Sequence, residues 1–287
     1  MKFLQRLVLL GSVTALSPSL ACSVAVDSGR VQCSQTSDCT GRGGAFLAST
    51  CFEHVCQVAT APTDPSWSCV GTSRVSPHPG PYAVTVPGAA DVVTQQPLAA
   101  PTVSLCRKLD VGCSNPVSTR IVDSAAGATF SVDAAFSGYL QVTADGYVSS
   151  LYFFNPPVDR DLTTAMIPIA TQATYATLMS AIGLSPSGDR GTVVLEAWDC
   201  AGKPAAGVSF SSSNVDAQTK IYYLAGGLPS VSATATDSWG YGGMGNIPAG
   251  AVIVNAHLAS PSATLSTVSI IVRPMSITFT EIVPYAS

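Results

Sequence analysis

Apolar and polar positions alternate with a period of two along much of the chain, and short runs of Gly, Pro, Asp and Asn interrupt the alternation. That period places successive side chains on opposite faces of a β-strand. In the last third, Thr192-Val-Val-Leu195 is a strand and Asp199-Cys-Ala-Gly-Lys-Pro-Ala-Ala-Gly-Val208 opens with a turn. Gly207-Val-Ser-Phe210 resumes strand periodicity. Ala235-Thr-Asp-Ser-Trp-Gly240 is a second turn, and Pro248-Ala-Gly-Ala-Val-Ile-Val-Asn-Ala256 is a third turn followed by a strand. Asp bonds its own backbone in such turns, and Gly accepts the positive φ they need.

The same grammar recurs earlier. Thr102-Val-Ser-Leu105, Pro116-Val-Ser-Thr-Arg-Ile121, Ala128-Thr-Phe-Ser-Val132 and Gly138-Tyr-Leu-Gln-Val-Thr-Ala144 are strands, broken by turns at 122–127 and at Asp145-Gly146. Aligned by these signals, Val103…Cys113…Pro116 matches Val193…Cys200…Pro204, and Phe136-Ser-Gly138 matches Pro248-Ala-Gly250, which suggests a tandem duplication. One stretch has a different period. Tyr175, Leu178, Met179 and Ile182 recur at i, i+3, i+4 and i+7, which predicts a helix capped by Thr171 and ended by Gly183. Residues 59–100 are punctuated by prolines and read as a linker, although 81–86 has the alternation of a strand.

Composition adds a compartment. The chain of 287 residues is 47% hydrophobic and only 10% charged, enough apolar surface for a core. A net charge of −4 with scattered cations argues against nucleic acid as a partner. Residues 1–21 have a basic start, an apolar run and a small-residue site before Cys22, which is the pattern of an export signal. Cys22 is also the candidate lipid attachment site of a bacterial lipoprotein; the plain secreted form is the alternative, and both signals cut before Cys22. Nine cysteines in an oxidising compartment then leave eight to pair. Cys33, Cys39, Cys51 and Cys56 form a cluster with three open connectivities, preferred over a zinc site because no close Cys pair is present. Cys106 and Cys113 flank a six-residue loop and are expected to close it. By elimination, Cys69 is left for Cys200.

Catalytic chemistry finds little support. Gly240-Tyr-Gly-Gly-Met-Gly245 matches a dinucleotide fingerprint, but a β-type run follows where a helix is required. His54, His78 and His257 lie in three separate segments, and no Gly-x-Ser-x-Gly elbow occurs. No His is expected to reach both an acid and an exposed Ser or Cys. Asp159-Arg-Asp161 reads as a solvated loop rather than a calcium site. No cofactor and no metal are expected, and nothing in the sequence pairs two acids for glycoside cleavage. Trp239 and Tyr241, expected on one loop at one end of the second sandwich, are the candidate ligand contacts.

The motifs Asp199-x-x-Gly-x-Pro-x-x-Gly-Val208, Thr236-Asp237-x-x-Gly240 and Pro248-x-Gly-x-Val252 resemble the carboxypeptidase regulatory-like domain, a transthyretin-like sandwich. The N-terminal cysteine spacing is similar to that of short segments in exported myxobacterial lipoproteins. The resemblance implies an accessory fold without catalytic residues. The expectation is therefore an all-β chain: signal peptide 1–21, disulfide segment 22–58, linker 59–100, antiparallel sandwich 101–168, linker helix 169–190 and second sandwich 191–287. Its expected role is non-enzymatic binding or scaffolding at the bacterial envelope, at the outer membrane or cell surface, with a protein or polysaccharide partner. A carbohydrate-binding module and an uncharacterised hydrolase are the alternatives.

Overall fold

A computed structural model of the protein describes residues 33–40, 49–52, 54–58, 64–72, 79–123, 126–258 and 263–284. Residues 1–21, with the export-signal pattern, Cys22 and His78 lie outside the described residues. The chain forms two compact units, 1–57 and 58–287. In the first, helix α1 (Thr36–Thr40) and strands β1 (Ser49–Phe52) and β2 (Val55–Val58) surround the disulfides Cys33–Cys51 and Cys39–Cys56. Cys33 and Cys39 are buried, and the cysteines are themselves the core. In a segment this short, closing each loop in the unfolded chain contributes about 3 kcal/mol that apolar burial cannot supply. Disulfide bonding consumes the sulfurs a metal would need.

Among its described residues the larger unit is β apart from a short 3-10 turn at Pro65–Trp67 and one ten-residue helix. Its strands are β3 (Tyr82–Val86), β4 (Ala89–Asp91), β5 (Thr102–Arg107), β6 (Ser118–Ile121), β7 (Ala128–Val132), β8 (Gly138–Thr143), β9 (Ser149–Phe153), β10 (Leu162–Thr163) and β11 (Ile167–Ile169). Helix α2 (Gln172–Ala181) follows. The remaining strands are β12 (Arg190–Ala197), β13 (Val208–Ser212), β14 (Lys220–Ala225), β15 (Leu228–Ser230), β16 (Tyr241–Pro248), β17 (Gly250–Leu258), β18 (Ala263–Val272) and β19 (Ser276–Ile282).

Nine strands form one sheet in the order β15-β14-β16-β12-β19-β9-β8-β5-β6. Strands β13-β17-β18 cover one of its faces, burying Val193, Leu195, Met244 and Phe153 against Val252, Val254 and Ile270. The opposite face carries α2 over Val194, Ile277 and Tyr222, and the sheets β10-β3-β7 and β11-β4 over Val103, Leu105, Leu140 and Val142. Both faces of β12 are consequently buried, with Val193, Val194 and Leu195 consecutive at its centre.

Three expectations change here. The proline-rich stretch is not a linker throughout: Tyr82, Val84 and Val86 are all buried, and Trp67 joins the main core. The prolines flank β3, at positions 81 and 87, where no ladder hydrogen bond is lost. Next, the two sandwiches share one sheet. The last strand, β19, lies between β12 and β9 and is parallel to both. Finally, the aligned segments do not occupy equivalent places. The β5–β6 hairpin stays within the large sheet, whereas β12 and β13 lie in different sheets, as do β8 and β17. That topology does not support a duplication.

Helix α2 is capped as expected, with Thr171 Oγ1 accepting from Thr174 N at 3.1 Å and Gly183 at φ +67. Tyr175, Met179 and Ile182 are buried against the sheet, but Leu178 is 36% exposed. A helix lying on a flat sheet buries a narrow stripe, and Leu178 falls on its flank.

Candidate functional site

Strand register assembles a cluster of polar groups on the helix-bearing face of the large sheet. In the β12–β19 ladder Glu196 is the partner of Glu281, and in the β12–β16 ladder it is the partner of Tyr241. Tyr241 hydrogen-bonds Glu196. Tyr152, on β9, donates its hydroxyl to Glu281 Oε1 at 2.7 Å, and Asn155 Nδ2 donates to the Glu281 backbone oxygen at 2.7 Å. The result is a line of side chains across four strands, Tyr241–Glu196–Glu281–Tyr152, with each acid served by a phenol.

Burial raises the Glu196 carboxyl to about 7, repulsion from Glu281 adds to the rise, and the Tyr241 hydroxyl partly opposes it. Burial also pushes the Tyr152 and Tyr241 phenols well above their ordinary value, reinforced in each case by a neighbouring glutamate. Glu196 is thus poised to exchange a proton near neutrality. Two adjacent carboxyl groups are also what a glycosidase uses. The cavity beside Glu281 measures only about 80 Å³, however, and is lined by Tyr152, Asn155, Pro156, Arg160 and Leu162. Ligand pockets run from about 300 Å³ upward, so a sugar ring has no room there. The geometry suits a proton-sharing cluster inside the fold.

The sequence could not signal this cluster, because the four residues come from four segments and meet only through register. Of the aromatic pair singled out earlier, Trp239 is 58% exposed on the turn before β16, whereas Tyr241 is the half-buried first residue of that strand. They do not share one loop. Asp237 holds the turn: its Oδ1 accepts from Trp239 N at 2.9 Å and its Oδ2 from Gly226 N at 3.0 Å. The clamp brings the β14–β15 turn beside the Trp239 turn, and Leu228 and Val231 are exposed there as well.

The other candidates resolve individually. Gly240–Gly245 forms the start of β16 with no helix after it. A Cβ on Gly243 would lie 2.1 Å from Val193 O, and one on Gly245 would lie 2.6 Å from Ile182 Cδ1. Close packing on the helix-bearing face of a central strand requires those glycines. His257, on the outward side of β17, has Nε2 3.3 Å from Ser211 Oγ and Nδ1 3.4 Å from Thr264 Oγ1, and burial lowers its pKa. A hydroxyl therefore stands where a triad places its orienting carboxylate. Asp159 forms an ion pair with Arg160 at 2.8 Å, and Asp161 accepts from Ala83 N at 2.8 Å.

Two further disulfides, Cys69–Cys200 and Cys106–Cys113, lie in this unit. The first ties the segment around Trp67 to the Asp199 turn, where Cys200 N also donates to Ser66 O at 2.9 Å. Among the described residues, no helix is long and apolar enough to cross a membrane.

No family model matches the chain, and no curated protein is similar to it. Among solved structures it is similar to the Bacillus anthracis TIE protein, with 13% identity over 70% of this chain and 33% of that one, at a TM-score of 0.23. The chain thus spans about a third of that protein's length. It is also similar to a streptococcal ancillary pilin, with 13% identity over 72% of this chain and 69% of that one, at a TM-score of 0.23. A C-terminal fragment of the pilus adhesin SpaC from Lactobacillus rhamnosus GG is 10% identical over 72% of this chain and 99% of the fragment, at a TM-score of 0.18.

Proposed function

We propose that the chain is an exported, non-enzymatic binding or scaffolding protein of the bacterial cell envelope, held there by a lipid on Cys22. The transthyretin-like turns at Asp199, Asp237 and Pro248 fit an accessory domain of the carboxypeptidase regulatory-like kind. The observation that carries the reading is the exposed apolar end formed by Trp239, Leu228 and Val231. Asp237 holds it in place, which lowers the entropy lost when a partner binds. The hydroxyls of Ser230 and Ser232, 3.0 Å apart on the same loop, favour a polysaccharide as the second reading, because an exposed indole beside hydroxyls suits a sugar ring.

The test is capture from envelope extract by the mature protein, compared with Trp239→Ala. Loss of a captured partner in the variant, with unchanged thermal stability, supports the site. Equal capture by both proteins removes it. Detergent-phase partitioning that is lost in Cys22→Ser tests the anchor independently.

A further inference from the structure

We propose that the β5–β6 hairpin is a docking edge for an extended, acidic polypeptide segment, which adds to β6 as a further strand. β6 is the terminal strand of the nine-stranded sheet among the described residues, so one side of its backbone faces outward. The hairpin carries four exposed large apolar side chains: Leu109 at 93%, Ile121 at 75%, Val111 at 49% and Val117 at 41%. Single exposed apolar residues are ordinary, but four on one hairpin form a surface that water does not favour.

The hairpin is also held rigid. The Cys106–Cys113 disulfide closes its tip. Tyr139 Oη donates to Asp110 O at 2.5 Å and Arg273 Nε to Val111 O at 2.6 Å, while Arg273 also bonds the Tyr139 hydroxyl. Cys106 and Tyr139 anchor this clamp in the main core, and the loop it fixes carries Leu109 into solvent. The clamp preorganises a contact surface.

Charge selects the occupant. Arg107, Lys108 and Arg120 place three of the chain's thirteen cations within residues 107–120. The acid in that stretch, Asp110, spends its carboxylate on its own loop, accepting from Ser114 N at 2.9 Å and Asn115 N at 2.8 Å. The edge is therefore basic on a protein of net charge −4. Like charges oppose pairing of β6 with a second β6, and an acidic strand is attracted. Backbone bonds to β6 supply the affinity in this mode, and alternate side chains meet the apolar positions.

The probe is a fluorescent peptide of alternating Glu and Val, seven residues long, followed by anisotropy and by amide chemical shifts of the labelled protein. The expected result is saturable binding at or below about 1 mM, with shifts concentrated on residues 102–121. Binding should weaken at least about tenfold between about 50 mM and about 300 mM salt. The triple variant R107E/K108E/R120E should lose at least about tenfold in affinity. The same peptide N-methylated at alternate amides should not bind, a control that leaves the protein untouched. Equal binding of the methylated peptide overturns the proposal, because charge alone then accounts for the affinity. So does unchanged binding to the triple variant, absence of saturable binding, or binding to vesicles of anionic lipid without binding to the peptide.

Discussion

Glu196 and Glu281 face each other across the parallel β12–β19 ladder, each with a tyrosine on its far side. Burial raises Glu196 to about 7 from an ordinary value of 4.5, so the folded protein binds the proton more tightly than the unfolded chain does. The fold therefore favours the neutral acid, fully below about pH 4.5, and loses that advantage as pH rises through 7. The Glu196→Gln variant mimics the neutral form. It should match the parent near pH 4 and exceed its stability by about 2–3 kcal/mol at pH 8, measured by urea denaturation. An equal difference at both pH values would show that the acid titrates normally.

Replacing Glu281 tests the order of causes. Desolvation outweighs repulsion at Glu196, so Glu281→Gln should lower the Glu196 pKa only partway. A titration followed by carboxyl carbon shifts, in parent and variant, should show an acid still above its ordinary value. A return all the way to 4.5 would make repulsion the main cause.

Gly243 is held between Val193 O and the Tyr222 ring, with its Cβ position 2.1 Å from the former and 2.7 Å from the latter's hydroxyl. A methyl group there must push apart two central strands. Gly243→Ala should cost at least about 3 kcal/mol. At Gly226, where nothing lies within 4 Å, the cost of the same change is conformational, since φ there is +61, and should stay near about 1 kcal/mol. Matched denaturation curves of the two variants check the contrast.

The contrast also shows what local sequence can encode. The turns were legible because Asp and Gly act within a few residues: Asp199 Oδ1 accepts from Ala201 N and Lys203 N, and Gly202 sits at φ +70. Helix α2 was legible for the same reason, down to its Thr171 cap. β3 was legible as the alternation at 81–86, although the prolines around it made the wider stretch read as a linker. The single large sheet depends on β19 entering between β9 and β12, a pairing between distant segments that no local pattern announces. The acid pair depends on that same register, so it was invisible before the strands were placed.

The two disulfides of the larger unit should differ in worth. Cys69–Cys200 spans 131 residues and Cys106–Cys113 spans 7. Closing a loop removes entropy from the unfolded chain in proportion to the logarithm of its length, so the long link contributes about 5 kcal/mol and the short one about 2.4 kcal/mol. Cys69→Ser/Cys200→Ser should therefore lose roughly twice as much stability as Cys106→Ser/Cys113→Ser, with each pair replaced together so that no free thiol remains. The short link has a second consequence. Its hairpin is also held by Tyr139 and Arg273, so C106S/C113S should leave the sheet folded while loosening residues 107–112. Amide hydrogen exchange locates the effect: faster exchange confined to that loop fits a local clamp, whereas exchange spreading through β5, β8 and β9 would make Cys106–Cys113 part of the main core's stability.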